Sequence, residues 1–444
     1  MIGQILFIVL LAAAGFLAYK RYRFVKRNIE LGRKQKVSGS VAERMRMMIL
    51  VALGQKKMFA RPLPAILHLC VYIGFIIINI EVLEILIDGI FGTHRFLSPM
   101  GSFYNFLIGS FEVLALLVWV SCAIFLVRRN VVKLKRFWSA EMTSWPRTDA
   151  NLILITEILL MTAFLTMNAA DYLLQQRGVD HYIAAGSFPV SSFISEMLSG
   201  LSDGSLIFIE RFCWWFHIVG ILFFIVYLTY SKHLHIILAF PNTYYSKLVP
   251  AGQLDNMKNV TNEVQLMLDP SAQVPAPEEG APTRFGAKDV FDLTRVQLMS
   301  AYTCTECGRC TSECPANQTG KKLSPRKIMM DTRDRMEAIG MELDKNNGFF
   351  QLSCAPKEEY NDGKSLLRDY ITEEELWACT SCNACTQACP VNINPLEIII
   401  DLRRYLIMEE SKSPESITVM FNNIENNGAP WAMSALDRAN WVNS

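Results

Sequence analysis

Five apolar stretches occupy the first 240 residues of the 444-residue chain, and they decide what it can fold into. Residues 2–19 are nearly uncharged, and 63–91 read "LPAILHLCVYIGFIIINIEVLEILIDGIF". Residues 103–127 hold "LIGSFEVLALLVWVSCAIFLV", 150–174 hold "LILITEILLMTAFL" and 205–240 hold "WWFHIVGILFFIVYL". Each reaches or exceeds the roughly 17–25 residues with which a helix crosses a bilayer, so five spans are expected. The first stretch has no basic region ahead of its apolar core and a basic cluster after it. That order is wrong for a cleaved signal peptide and reads as a retained anchor.

Lysine and arginine set the expected orientation. The connection from Lys20 to Pro62 carries thirteen and that from Arg128 to Ala150 six, whereas residues 92–102 and 175–204 carry one each. Basic loops stay cytoplasmic, which places the amino terminus outside and everything after the fifth helix inside. Within the first basic connection, "VAERMRMMILVALGQKKMF" interleaves apolar residues with Arg44, Arg46, Lys56 and Lys57. It reads equally as an interfacial helix with its basic face on anionic headgroups or as a solvated connector. The formal charge of +1 gives no case for a nucleic-acid partner.

Composition changes after residue 249. Residues 250–290, with "SAQVPAPEEGAP", read as a flexible linker between a membrane domain (1–249) and a cysteine-rich domain (291–410). The tail, 411–444, carries no recognisable chemistry. Eight of the twelve cysteines fall in two runs, "CTECGRCTSECP" from Cys304 and "CTSCNACTQACP" from Cys379. This C-x2-C-x2-C-x3-C-P spacing is a metal-ligand pattern of an intracellular site, not a disulfide framework. Three soft thiolates on a tight loop can bind one iron–sulfur cubane, and in two-cluster ferredoxins the proline-flanked fourth cysteine reaches the other cluster. On that pattern Cys304, Cys307, Cys310 and Cys389 hold one [4Fe-4S] cluster, and Cys379, Cys382, Cys385 and Cys314 the other. Zinc sites pair C-x2-C with a distant second pair and have no use for the third cysteine. The motifs are separated by "SPRKIMMDTRDRMEAIG" and similar helical spacing, so an all-α fold is expected throughout. Cys354, between the motifs, reads as an ordinary thiol.

Four of the six histidines, His68, His217, His233 and His235, lie in or at the ends of the apolar stretches. Ionisable groups at membrane depth are costly and usually functional. His217 and His235 are eighteen residues apart, which on one continuous helix puts them on one face about 27 Å apart. His68 matches His233 or His235 in depth, and two imidazoles from facing helices can ligate one haem b. Residues two apart point to nearly opposite sides of a helix, which leaves His233 and His235 as alternatives. A second haem at His217 has no histidine facing it, since Ile78 and Asn79 stand at that depth on the second helix. Glu81, Glu84, Asp88, Glu112, Asp171 and Arg211 read either as a proton exit or quinol site near the outer surface, or as charge pairs locking the helices.

"RPLPAILHLCVYIGF", "SKHLHII", "CTECGRCTSECPANQTGKKLSPRKIMMDTRD" and "CTSCNACTQACPVNINPLEIIIDLRR" resemble the membrane-bound, heterodisulfide reductase-like iron–sulfur oxidoreductases, whose amino-terminal part resembles the nitrate reductase gamma subunit. The likeness covers roughly residues 45–405. It implies a five-helix cytochrome b-type bundle in the bacterial cytoplasmic membrane, exchanging electrons with membrane quinone and joined to a cytoplasmic dicluster ferredoxin domain. It also implies that His68, His217 and His235 match haem-ligand positions. Many members continue into cysteine-rich "CCG" domains, which implies a separate cytoplasmic subunit as partner. The resulting expectation is the electron-transfer subunit of a quinone-linked oxidoreductase complex. A redox-sensing membrane protein is the alternative, and it would need an output domain.

Overall fold

The computed structural model describes residues 2–35, 37–250, 252–274, 284–353 and 360–442. Cys354 lies outside them. Helices α1 (Ile2–Glu30), α2 (Val41–Met48), α3 (Pro62–Phe91), α4 (Ser102–Asn130), α5 (Ser144–Gln176), α6 (Ser191–Leu198), α7 (Asp203–Leu228) and α8 (His235–Tyr244) form the first half. Five of these, α1, α3, α4, α5 and α7, are long and apolar enough to cross a membrane. Pro62 opens α3, where a missing N–H costs nothing, and Gly92 closes it in the left-handed conformation at φ 73°. Ser202 caps α7 by accepting from the Ser205 N–H. Tyr104, Ile108, Phe111, Phe164 and Leu160 form the core where α4, α5 and α7 meet.

The second half is also helical. It comprises α9 (Lys258–Leu268), α10 (Arg295–Thr303), α11 (Arg309–Ser312), α12 (Pro315–Gln318), α13 (Pro325–Leu343), α14 (Leu366–Asp369), α15 (Glu373–Trp377), α16 (Ala384–Ala388), α17 (Pro395–Met408) and α18 (Glu415–Asn427). Among the described residues the only β pairing is two isolated bridges. The stretch expected as a linker thus contains a helix, α9, and the expected tail contains α18. Thr294 and Gln297 form a reciprocal cap on α10, and Ser324 with Pro325 opens α13.

Two elements differ from expectation. The fifth span ends at Leu228, and a tight turn at Lys232–Leu234 separates it from α8. Polar residues drive the break: Ser231 Oγ accepts from the His233 N–H, and Asp149 on α5 accepts from the Lys232 N–H at 3.2 Å. His217 and His235 therefore do not share one helix. The basic segment after α1 is not solvated throughout. Arg44 is buried and donates to the Tyr244 and Ser246 carbonyls, at 2.8 and 3.5 Å. Lys57 reaches the Thr386 carbonyl and Asn392 Oδ1 at 3.2 and 3.0 Å. Arg44 thus satisfies carbonyls at the end of α8 within the first half, and Lys57 reaches across to the second.

The halves are joined by polar contacts. α1 continues past its apolar core onto α13, where Arg21 grips Glu337 at 2.7 and 2.8 Å and Arg27 meets Asp344 at 2.5 Å. Gly340 of α13 makes that approach: a Cβ there would stand 2.5 Å from Asn28. Arg326, fully buried, pairs with Glu141 at 2.5 Å from the α4–α5 connection.

Candidate metal centre

The two cysteine runs fold alike. Glu306 and Gly308 in the first, and Ser381 and Asn383 at the matching positions in the second, all take positive φ, between 56° and 70°. Such left-handed turns point successive backbone N–H groups into one concavity, a cradle for anionic sulfur. The Ser381 N–H donates to Cys379 Sγ at 3.4 Å, and the Ile393 N–H to Cys389 Sγ at 3.2 Å. Each run then enters a short helix, α11 or α16, and these two pack on one another.

That packing places the fourth cysteine of each run near the other run. The thiols whose charge is felt at Cys310 are Cys304, Cys307, Cys389 and Cys385, and Cys389 in turn feels Cys307. Cys379 feels Cys314 and Cys382, and Cys385 feels Cys379 and Cys314. Cys389 thus lies near thiols of the first run and Cys314 near thiols of the second, while Cys385 is close enough to Cys310 that the two sets adjoin. Burial, reinforced by like charge from the neighbouring thiols, pushes Cys304 up to about 12. It pushes Cys385 up to about 12 and Cys389 up to about 11. Thiols packed this way ionise when a metal takes up the charge. Cys382 is exposed at the surface, whereas Cys304 and Cys389 are buried.

The first cysteine group borders a cavity. About 1820 Å³ in volume, it is lined by Cys304, Cys307, Cys310 and Cys389 at one end and by His68, His217, His233 and His235 within the bundle. The His68 and His235 ring centroids are 6.4 Å apart. Two imidazoles on opposite sides of one iron, with metal–nitrogen bonds of about 2 Å, stand roughly 6 Å apart by centroid. Their outer nitrogens are already engaged: His68 Nδ1 with Gln55 Oε1 at 3.1 Å, and His235 Nδ1 with the Lys232 carbonyl at 3.0 Å. Both rings therefore keep Nε2 for a ligand, the support that metal-binding histidines normally have.

His233 stands beside His235, with centroids 5.5 Å apart and planes at 23°, and its Nδ1 is buried without a hydrogen-bond partner. The expectation that the two point to opposite sides is wrong because they sit on the tight turn, not on a regular helix. Burial keeps both rings neutral, holding His233 down to about 3. His217 Nδ1–H donates to the Leu160 carbonyl at 3.0 Å, and its ring packs on Phe164 rather than on a histidine.

Three residues here escaped the sequence reading. Gln55 sits in a left-handed turn thirteen residues before His68, and nothing in the sequence marks it. Lys232 ties the histidine turn to the first cysteine loop, pairing with Glu306 Oε2 at 2.5 Å while its carbonyl holds His235. Glu157 on α5 lines the cavity at membrane depth, and one carboxylate within an apolar run was its available signal.

At the opposite end of the bundle the carboxylates are mostly paired. Arg95 Nε donates to Asp171 Oδ2 at 2.7 Å and its Nη1 to Tyr104 Oη at 3.0 Å, and Tyr104 donates to Glu84 at 3.0 Å. Glu112 accepts from Asn168 and from the Val190 and Ser191 N–H groups. Asp88 accepts from the Arg95 N–H at 2.9 Å, and Arg211 pairs with its neighbour Glu210. Glu81 is buried with Oε2 unpartnered. One buried ion pair, Arg95–Asp171, and hydrogen bonds from neutral donors to Glu84, Asp88 and Glu112 tie α3, α4 and α5 together here. Arg95→Ala leaves Asp171 buried without its cation and is expected to cost about 3–5 kcal/mol. Thermal unfolding followed by circular dichroism in detergent checks this; a loss below about 1 kcal/mol, as for an exposed pair, would contradict it.

Comparison with known proteins fits this geometry. The 4Fe-4S dicluster domain family matches residues 303–393, which include all eight motif cysteines. The chain carries a 4Fe-4S dicluster domain. The chain is 29% identical over 461 aligned residues to a probable iron-sulfur-binding oxidoreductase FadF of Bacillus subtilis, covering 99% of this chain and 60% of that protein. It is 25% identical to an EtfAB:quinone oxidoreductase of Syntrophomonas wolfei, covering 90% of this chain and 54% of that protein. It is 30% identical over 155 residues to one of the subunits of the dihydromethanophenazine:CoB–CoM heterodisulfide reductase of Methanosarcina mazei, covering 35% of this chain and 36% of that protein. The chain therefore spans a little over half the length of its two long-range relatives. No solved structure matches it. It combines a dicluster domain with five membrane-length helices and is similar in sequence to these oxidoreductases.

Proposed function

We propose that the chain carries electrons between a soluble donor and membrane quinone, through two [4Fe-4S] clusters and one haem b. The carrying observation is the single cavity bordered by Cys304, Cys307, Cys310 and Cys389 on one side and by His68, His233 and His235 on the other. The clusters supply one-electron storage, and a bis-imidazole haem would supply the one-electron step towards quinone. The chain's own residues set the order. The Cys304 group borders the cavity, so its cluster is the membrane-proximal one; the Cys314 group, with exposed Cys382, faces the donor. His68 and His235 are the proposed axial ligands, oriented by Gln55 and the Lys232 carbonyl. His233 lines the same cavity, and His217 lies deeper without a histidine partner, which favours one haem over two.

Lys57 and Arg309 stand close enough to the Cys389 thiol to be felt electrostatically, and Arg309 and Arg136 likewise to Cys307. These cations would offset the anionic charge of a thiolate-bound cluster. The positive-inside count supports placing this domain in the cytoplasm of a bacterium, with residues 1–249 in the inner membrane, 250–290 as linker, 291–410 as dicluster domain and 411–444 as tail. The name of the S. wolfei relative couples EtfAB to quinone, and that supports a soluble redox partner as donor. Heterodisulfide reductase relatives are subunits, which supports assembly with a separate cytoplasmic subunit bearing CCG domains.

Paired alanine variants test the reading. Cys304→Ala and Cys379→Ala each remove one thiolate from a different set, so each should lower iron content by about half while leaving the other EPR signal. Zinc in place of iron in the wild-type protein would overturn the cluster assignment.

A further inference from the structure

The segment between the cysteine motifs carries two aromatic rings turned away from its own domain's core. Phe349 is 61% exposed and Phe350 80% exposed, with ring centroids 5.2 Å apart. Their ring contacts run to α1: Phe16 stands 6.3 Å from Phe349 and 5.8 Å from Phe350. Lys20 Nζ lies 4.4 Å from the Phe349 ring centroid and donates to the Phe349 carbonyl. Phe16 belongs to the apolar core of a membrane-length helix, and Lys20 is that helix's first charge. The pair therefore reaches below the boundary at which α1 leaves the bilayer.

The loop is anchored for this placement. Asp344 at its base receives Arg27 at 2.5 Å, Asn347 at 2.9 Å and Ser353 at 2.6 Å. The Gln351 N–H closes a turn onto the Gly348 carbonyl at 3.0 Å, with the two phenylalanines at its tip. At the same end of α1, Tyr19 and Tyr22 stack at 6.4 Å and are about half exposed, at 49% and 56%, on the side that borders the cavity. Exposed aromatic rings clustered at one helix depth form the belt that sits at a membrane interface. Lys20, Arg23 and Lys26 follow immediately, the charges that anionic headgroups attract.

We propose that Phe349 and Phe350 form a lipid-inserted finger, by which the dicluster domain holds the bilayer leaflet on its own side. The occupant is phospholipid, because the rings continue the lipid-facing surface of α1. Exposed Ile5, Leu6, Ile8 and Val9 extend that surface deeper. The finger adds a third hold to the ion pairs and the covalent connection, and it stands whether or not the cavity binds haem.

The test places p-benzoylphenylalanine at position 350, and separately at exposed position 361 in the same insert, in the full chain within nanodiscs of phosphatidylethanolamine and phosphatidylglycerol. Irradiation should give phospholipid adducts at 350 and none at 361. Absence of lipid adducts at 350, or equal yields at both positions, would overturn the proposal. In parallel, a variant carrying Phe349→Ser and Phe350→Ser should keep both iron–sulfur EPR signals while amide exchange across residues 344–353 rises several-fold. Signals kept with unchanged exchange in that segment would equally overturn it, and if the signals are lost the crosslinking yields alone decide.

Discussion

His68→Ala is expected to abolish the haem b spectrum and donor-dependent quinone reduction while leaving both iron–sulfur EPR signals intact. The imidazole stands 6.4 Å from that of His235, and its Nδ1 is committed to Gln55, so Nε2 is the atom left for a metal. Alanine removes that atom and leaves the iron a single axial histidine. The core under the dicluster domain, built on Leu298, Ile328, Leu366, Ile399 and Leu402, takes in Phe24, Val25, Leu228 and Leu234 from the first half but not His68. The clusters should therefore survive. A variant that kept its haem and its quinone activity would return His68 to the role of a hydrogen-bonded interior residue. Gln55→Ala should act more mildly, weakening haem retention by about 10- to 100-fold, as loss of a ligand's supporting hydrogen bond does.

The second large effect is crossed. Cys389→Ala should damage the cluster held by Cys304, Cys307 and Cys310, although Cys389 lies in the other run. Cys314→Ala should damage the one held by Cys379, Cys382 and Cys385. α11 packs on α16, and the Cys389 charge is felt at Cys310 and that of Cys314 at Cys379, which supports the proposal that each cluster draws a ligand from both runs. Cys389→Ala has the further consequence of stopping quinone reduction, because its cluster borders the cavity. EPR of the two variants decides the matter. If Cys314→Ala perturbed the Cys304 cluster and spared the other, the exchange would be wrong.

Much of this was legible in the sequence because the signals were either long or repeated. Five apolar runs announced five helices, and two identical cysteine spacings announced a paired site. The break after Leu228 was hidden because "YLTYSKHLHIIL" stays apolar enough to continue a span. What stops the helix is a tertiary contact, Asp149 capping the turn from α5. The same turn set His233 beside His235, which no helical projection foresees. Gln55 and Lys232 were invisible for a related reason: each acts through one hydrogen bond to a ring far away in sequence or across a turn. Arg44 and Lys57 show the limit of charge patterning: Arg44 is taken up by carbonyls at the end of α8 and Lys57 by a carbonyl of the second half, and neither partner is marked in the local sequence.

The central claim is that the dicluster domain and the histidine cavity form one electron path. The most direct measurement follows reoxidation of the dithionite-reduced, purified full chain by a soluble quinone analogue, recording the haem α band and the iron–sulfur absorbance together. The account predicts about eight cluster irons per chain, a b-type α band that responds to quinone, and loss of reduction from both cofactor types in the same reaction. A protein with both clusters but no haem band, or one whose clusters are reoxidised while the haem stays reduced, would contradict it.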